Sequence, residues 1–298
     1  MLKTIGIISP GEMGHNIALV LKKHGLEVVT CLRGRSPRTL RLAKKGGAAD
    51  LPSLRAVVEA SDLILSVVVP SAALPVGRSL AKAIASVKKP VLVADANAIS
   101  PMTSIAIDKV VTAAGGKYVD VCIIGSAQRL EKGATFYASG ESAEKFMGLQ
   151  DYGLTTKVLG NQIGQASAFK MVYAGLTKGL SSLSVELLLT ARSLGLFDQI
   201  IERYRLSYPE IADFMSRMLP DLPWRATRRS QEMEELSATI KSLGLHPVMA
   251  PASGKALKRL GELTRSSGWQ EPDEGQLNLK DTIEKLYKGL KESPDKSS

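Results

Sequence analysis

Apolar residues fall in short unbroken runs along the first half of this chain and in helical spacing along the second. The runs Ile5-Gly6-Ile7-Ile8, Val28 to Leu32, Leu63 to Val69, Val91 to Ala94 and Tyr118 to Ile124 read as strands. Between them, Gly14 to His24, Leu54 to Ala60, Ala72 to Ser86 and Pro101 to Ala114 read as helices. Gly25 is placed to end the first of these, and Ser100 to cap the last ahead of Pro101. Strands that are apolar throughout and alternate with helices predict a parallel sheet covered on both faces. After Ser126 the chain reads as a loop and then, over Gly133 to Gly140, as one more strand.

Between Gly160 and Gly195 the pattern changes. Past Gly160-Asn161-Gln162-Ile163-Gly164, a long helical run carries only four charged residues, Lys170, Lys178, Glu186 and Arg192. A helix this apolar on all sides is expected to be buried, between domains or between subunits. Beyond Gly195 the pattern is helical, punctuated by Pro209, Pro220, Pro223, Pro247 and Pro251. The predicted organisation is a doubly wound α/β domain over residues 1–162, an all-helical domain over 163–292 joined to it by the long helix, and a disordered polar tail over 293–298.

Composition narrows the class. A length of 298 residues suits two domains. No run approaches the ~20 apolar residues of a membrane span, and the N-terminus enters a strand without a signal segment. The expectation is a soluble, cytoplasmic protein with no membrane partner. Cys31 and Cys122 stand far apart and His15, His24 and His246 form no ligand-spaced cluster, so neither a disulfide nor a metal site is expected. The net charge of +10 suits nucleic acid, an anionic membrane surface or acidic small molecules. Its dispersal, without a nucleic-acid module, favours attraction of a phosphorylated cofactor and a carboxylate substrate.

Candidate chemistry gathers at strand ends. Ser9-Pro10-Gly11-Glu12-Met13-Gly14 follows the first strand and opens the first helix, as a phosphate-cradling turn does. Ser9 stands where the usual first glycine would be. After the second strand, where an NAD site carries an acidic residue, the chain reads Leu32-Arg33-Gly34-Arg35-Ser36-Pro37-Arg38. This is either a solvated basic loop or a site for the 2′-phosphate of NADP. Val69-Pro70-Ser71 and Asp95 to Pro101 end two strands on the side where ligands bind in open parallel sheets, although both also suit plain turns and caps. Gly125-Ser126 is either a turn or a grip for a carboxylate. Lys170, flanked by Phe169, Met171 and Val172, either reaches solvent along an apolar stem or is a lysine tuned to pass protons. At about 100° per residue Tyr173 and Thr177 share its helix face, whereas Lys178 lies off it and is expected to be paired or snorkelling.

These residues resemble the β-hydroxyacid dehydrogenases related to 3-hydroxyisobutyrate dehydrogenase and to the cofactor domain of 6-phosphogluconate dehydrogenase. Gly11 to Gly14 resembles that family's glycine loop, Arg35-Ser36 its NADP-type strand end, and Asp95 to Pro101 its D-x-S-T-x-x-P turn. Asp120 to Ser126 is similar to its substrate loop, and Gly164 to Lys170 to the helix start bearing its catalytic lysine. The chain departs from the pattern at Ile124, where a substrate-binding serine is usual, at Asn97-Ala98, and at Tyr173-Ala174, where two asparagines are usual. Counted back from Gly244, the family's Lys-Asp pair near the cofactor falls on Gln231-Glu232. The resemblance implies a Rossmann-type domain that binds NADP through Ser9, Gly11, Glu12, Met13, Gly14, Arg33, Arg35 and Ser36, with Val69, Pro70, Asn97 and Gln231 beside it. It implies Lys170 as general acid and base, with Tyr173 standing in for the missing asparagine. Ile124, Gly125, Ser126 and Thr177 would face a small carboxylate-bearing substrate, and the helical domain would pair two copies as a homodimer. The expected reaction is hydride transfer between nicotinamide and a small hydroxy acid. The rivals are an imine reductase using Tyr173 and a non-catalytic NADP-binding sensor.

Overall fold

The computed structural model describes residues 2–271 and 277–292, so the tail expected over 293–298 lies outside the described residues. The apolar runs form β1 (Thr4–Ile8), β2 (Glu27–Thr30), β4 (Leu63–Ser66), β5 (Leu92–Asp95) and β6 (Lys117–Gly125), with a two-residue edge strand β3 (Ala49–Asp50). The helices between them are α1 (Glu12–Lys23), α2 (Pro37–Gly46), α3 (Leu54–Ala60), α4 (Pro70–Val87) and α5 (Pro101–Ala113). Two short helices, α6 (Leu130–Gly133) and α7 (Ala143–Met147), bracket β7 (Ala134–Ser139), and β8 (Thr155–Gly160) closes the sheet.

The eight strands lie in the order β3-β2-β1-β4-β5-β6-β7-β8. The strands from β3 to β6 pair in parallel, as the apolar runs predict, while β7 runs antiparallel to β6 and β8 is parallel to β7. The strands β3 and β8 and the helices α2, α6 and α7 are additions to the sequence reading. Alternate strand residues feed two cores. Ile5, Ile7, Leu63, Leu65, Val119, Val121 and Phe136 pack on one face, and Ile64, Val93, Val57, Leu80, Ile84 and Ile107 on the other. The chain leaves β1 outward to β2 and β3, then returns to β4 on the other side of β1. The crevice of a doubly wound sheet forms at that reversal.

The chain divides into two compact units, Met1–Val172 and Tyr173–Ser298. The division falls within α8 (Gln165–Ser193) rather than at residue 162, because the first turns of α8 hydrogen-bond to Asp120 and Ile123 of β6. The second unit is helical: α9 (Phe197–Ser207), α10 (Pro209–Met218), α11 (Leu222–Ser242), α12 (Met249–Ser266) and α13 (Leu279–Glu292). Its core gathers Leu188, Phe197, Leu219, Leu222, Met233, Leu257, Ile283 and Leu286. Gly261 lets α12 lie close on α11, since a Cβ there would meet Thr227 N at 2.9 Å. None of the helices among the described residues is long and apolar enough to cross a membrane.

Gly6, in the middle of β1, shows how tightly the first unit is closed. A Cβ at this position would lie 2.6 Å from Ser61 Oγ and 2.9 Å from Val57 Cγ1, both on fully buried residues. Gly6→Ala is expected to destabilise the protein by about 1–3 kcal/mol, the usual cost of overpacking a core, measured as a lower urea midpoint at unchanged slope.

Candidate active site

The β1–α1 turn is built from main chain. Ser9 adopts φ +64°, a left-handed conformation usually left to glycine, and Gly11 N donates to Ser9 O at 2.7 Å. Gly11 caps α1 with no side-chain hydrogen bond, so the first turn presents main-chain N–H groups with Glu12 and Met13 at its start. The two glycines differ in what they serve. A Cβ on Gly14 would meet Ser9 O at 3.0 Å and Ile7 Cγ2 at 3.3 Å, so Gly14 lets the helix approach the strand. A Cβ on Gly11 would meet nothing nearer than Ser9 O at 4.0 Å. Its space opens outward and suits the close approach of a pyrophosphate.

At the end of β2, Arg35 N donates to Leu32 O at 3.0 Å, closing a turn through Arg33 and Gly34. Ser36 Oγ accepts Thr39 N at 3.3 Å and caps α2, whose first residue is Pro37. A carboxylate also reaches this end of the sheet. Asp50, on β3, accepts Leu32 N at 2.9 Å. Sequence reasoning missed it because Asp50 lies on a short edge strand well beyond the glycine turn.

The ends of β4 and β5 are tied together by Asn97. Its Oδ1 accepts Val68 N at 2.6 Å, and its Nδ2 donates to Asp95 Oδ2 at 2.9 Å and to Ser66 Oγ at 3.1 Å. Asn97 is buried, so its amide shapes the loop that leads to Val69 and Pro70, with Val69 exposed at its tip. Asp95 is enclosed beneath it. Burial pushes its carboxyl up to about 7, with the charge of Asp120 adding to the rise and hydrogen bonds from Asn97 and Ser66 opposing it. As expected, Ser100 caps α5 ahead of Pro101.

The end of β6 receives the start of α8. Lys170 Nζ donates to Ile123 O at 2.6 Å, which answers how a lysine sits among apolar neighbours. The structure thus brings Lys170 to the strand end that continues as Ile124, Gly125 and Ser126. Gly125 has φ +135°, and a Cβ there would lie 2.2 Å from Gly133 O, so only glycine fits. Ser126 Oγ bonds Gln128, accepting its N–H at 3.3 Å. The ring of Phe169 packs on Tyr137 of β7 with centroids 4.7 Å apart. Cys122, deep in β6, has its thiol pushed up to about 12 by burial, only partly opposed by the charge of Lys170.

In the second unit, Tyr173 is half exposed and Thr177 Oγ1 donates to Ala174 O at 3.0 Å. Lys178 is paired, its Nζ 2.7 Å from Glu232 Oε2. Gln231 lies beside Glu232 on α11, and the basic and acidic run from Trp224 to Glu235 is one stretch of that helix. Among the described residues, nothing covers one apolar face of the long helix. Val172, Leu176, Leu183 and Leu187, spaced by four and seven residues, are between 43% and 75% exposed.

The turn and strand ends define a dinucleotide-binding α/β protein with a helical second unit. The family model described as the NAD binding domain of 6-phosphogluconate dehydrogenase matches residues 4–151, and that of a domain of unknown function, DUF1932, matches residues 191–260. An uncharacterized 28.5 kDa protein in the 7S RNA 5′ region of Methanothermus fervidus is 30% identical over 259 residues, 87% of this chain and 99% of its own. A solved conserved protein of unknown function, MTH1747, described as structurally similar to 3-hydroxyacid dehydrogenases, is 32% identical over 90% of this chain and 100% of its own, with a TM-score of 0.65. The 3-hydroxyisobutyrate dehydrogenase of Mycobacterium tuberculosis, solved with L-serine, shares the fold at 15% identity over 96% of this chain and 99% of its own, with a TM-score of 0.66. The chain belongs to the β-hydroxyacid dehydrogenase family, with a helical C-terminal domain.

Two outcomes follow from this geometry. Gly11→Ala is expected to keep stability within about 0.5 kcal/mol of the parent, as at sites free of packing constraints, while weakening nicotinamide dinucleotide binding about tenfold or more, read by thermal unfolding and by fluorescence titration with NADPH. The folded chain holds the Asp95 proton up to about pH 7, whereas an ordinary carboxyl at 3.8 has lost it. The stability that Asp95 contributes is therefore present at acid pH and lost as pH rises toward 7. The Tm of the parent is expected to fall between about pH 4 and about pH 7 relative to that of Asp95→Asn, and to level off above that; parallel curves would assign the titration elsewhere.

Proposed function

We propose that this protein is an NADP-dependent oxidoreductase that transfers a hydride between nicotinamide and a small hydroxy acid or the corresponding aldehyde or keto acid. The observation that carries the reading is the hydrogen bond from Lys170 Nζ to Ile123 O, which sets an ammonium at the end of β6 beside Gly125 and Ser126. When bound, the nicotinamide supplies the two-electron chemistry, and the residues of the chain bind, orient and move the proton. Gly125 and Ser126 hold the substrate carboxylate by main-chain N–H groups and a hydroxyl. In the reducing direction the Lys170 ammonium gives a proton to the carbonyl oxygen as that oxygen becomes the hydroxyl, and in the oxidising direction the amine takes it back. An ammonium carries three donors, one of them on Ile123 O. Ile124 supplies an apolar wall in place of a hydroxyl, and Tyr173 and Thr177 take the places of further polar contacts.

Ser9 to Gly14 cradle the pyrophosphate at the start of α1, with Val69, Pro70 and Gln231 beside the cofactor and Asn97 holding the loop under Val69. Arg33 and Arg35, with Ser36, take the 2′-phosphate of NADP. The net charge of +10 attracts both anionic ligands. A second copy of the chain covers the exposed apolar face of α8, giving a homodimer through the helical unit.

The test is a panel of short hydroxy acids with NADP⁺ or NAD⁺, and of aldehydes, keto acids and imines with NADPH or NADH. Lys170→Ala is expected to lower kcat by about 10²- to 10⁴-fold, the range of a positioned proton donor, and to leave NADPH affinity nearly intact. Preference for NADPH should accompany activity on the acids. Turnover of imines alone, retained in Lys170→Ala, would move the proton to Tyr173, and NADPH binding without any turnover would leave a sensor.

A further inference from the structure

We propose that Asp120 is the positioning residue for Lys170: a buried carboxylate on β6 that caps α8 from outside the helix and so fixes the register in which the lysine meets the strand end. The inference rests on the reading of Lys170 as the proton carrier and extends it to a residue that touches neither substrate nor cofactor.

Asp120 is fully buried and its oxygens are spent on one task. Oδ2 accepts Gly164 N at 3.0 Å, Ser167 N at 2.9 Å and Ser139 Oγ at 3.1 Å, while Oδ1 accepts Ser167 Oγ at 2.6 Å. Ser139 Oγ in turn accepts Ala166 N at 2.9 Å. Three main-chain donors at the start of α8 therefore end on this carboxylate or on the hydroxyl it holds. The first N–H groups of a helix have no partner within it, and a negative charge there meets the positive end of the helix dipole. Hydrogen bonds to an ionised carboxylate are among the stronger ones available to a chain.

The same strand grips α8 twice. Asp120 takes the helix start, and three residues further along β6 the carbonyl of Ile123 takes Lys170 Nζ. Ser167 and Lys170, at i and i+3, lie on neighbouring positions of one helix face. A slip of α8 by one residue would turn that face by about 100° and carry the lysine off the strand end. The turn before the helix, with Gly164 at φ +98°, and the packing of Phe169 on Tyr137 limit where the helix lies. The carboxylate sets its rotation through bonds to specific amides, two taken directly and a third through the Ser139 hydroxyl that it holds. Asp95, across the β5–β6 pairing from Asp120, is occupied with Asn97.

The experiment uses the full-length protein and compares Asp120→Asn, Ser167→Ala, Lys170→Ala and the Asp120→Asn/Lys170→Ala double variant. Asparagine keeps the shape but sets an amide donor against the N–H groups of α8. Ser167→Ala removes only the hydroxyl bond to Oδ1, and carries the test should Asp120→Asn not fold. Competitive acylation with acetic anhydride, read by mass spectrometry, reports Lys170 directly, with exposed Lys82 as internal reference. In the parent, Lys170 should react more slowly than Lys82. Asp120→Asn should raise its rate severalfold and Ser167→Ala less so, with Lys82 unchanged. Turnover should fall about 10- to 100-fold in Asp120→Asn, the scale of an ångström of misplacement, while NADPH affinity holds. In the Lys170→Ala background the same change should cost nothing further, because a residue acting only through the lysine has nothing left to position. Folded variants that label Lys170 at the parental rate, or a loss of turnover that persists in full in the double variant, overturn this inference and leave the proposed function standing. A Lys170→Ala variant that keeps its turnover overturns the function, and this inference with it.

Discussion

A parallel sheet covered by helices on both faces has little room for polar side chains along its strands, so most of its polar groups collect toward the strand ends and must satisfy one another there. The first unit depends on how that constraint is met. At β4 and β5 it is met by Asn97, whose amide spends donors and acceptor on Ser66, Val68 and Asp95 and so holds two loops at a fixed separation. At β6 it is met by Asp120 and Ile123, which turn the strand end into a socket for α8. At β1 no side chain caps the helix; Gly11 N on Ser9 O closes the turn, and the His15 ring lies 2.8 Å from Gly11 O.

Much of this frame was legible in the sequence. The apolar runs located β1, β2, β4, β5 and β6, because a strand buried on both faces has no polar position to break the run. Ser100-Pro101 carried its cap in the sequence, as local chemistry does. The rest depends on partners remote in the chain. Asp120 reads as one more residue of an apolar strand until Gly164 and Ser167 arrive beside it, and Asp50 reaches the end of β2 only once β3 is paired. Asn97 looks like a residue of a ligand-facing loop, and nothing local tells that its amide is spoken for within the protein. The antiparallel turn of β7 is likewise a property of the sheet edge, with no periodicity of its own. The apolar face of α8 is exposed on the single chain, since the sequence records that a face is apolar and not what lies against it.

The second unit meets its constraints with charge and aromatic rings. Lys178 and Glu232 are both largely buried and pair at 2.7 Å, an arrangement that specifies geometry more than it stabilises. Burial pulls the Arg229 guanidinium below its usual range, and Asp221 and Glu232 oppose the shift. On α13, Lys285 Nζ lies 5.4 Å from the ring of Trp224 and 5.0 Å from that of Trp269, and Trp224 Nε1 donates to Trp269 O at 3.2 Å. A cation shared by two indoles fastens the last helix to the unit.

The thiol beneath the lysine has a consequence of another kind. Thiolate, not thiol, is the form that oxidants and electrophiles attack. With its thiol pushed up to about 12, Cys122 exposes a thiolate in about one molecule in 10⁵ at neutral pH. Cys31, directly after β2, is half-buried rather than enclosed. The Cys122 thiol beside Lys170 is therefore chemically silent, and this part of the sheet is insulated from the redox state of its surroundings.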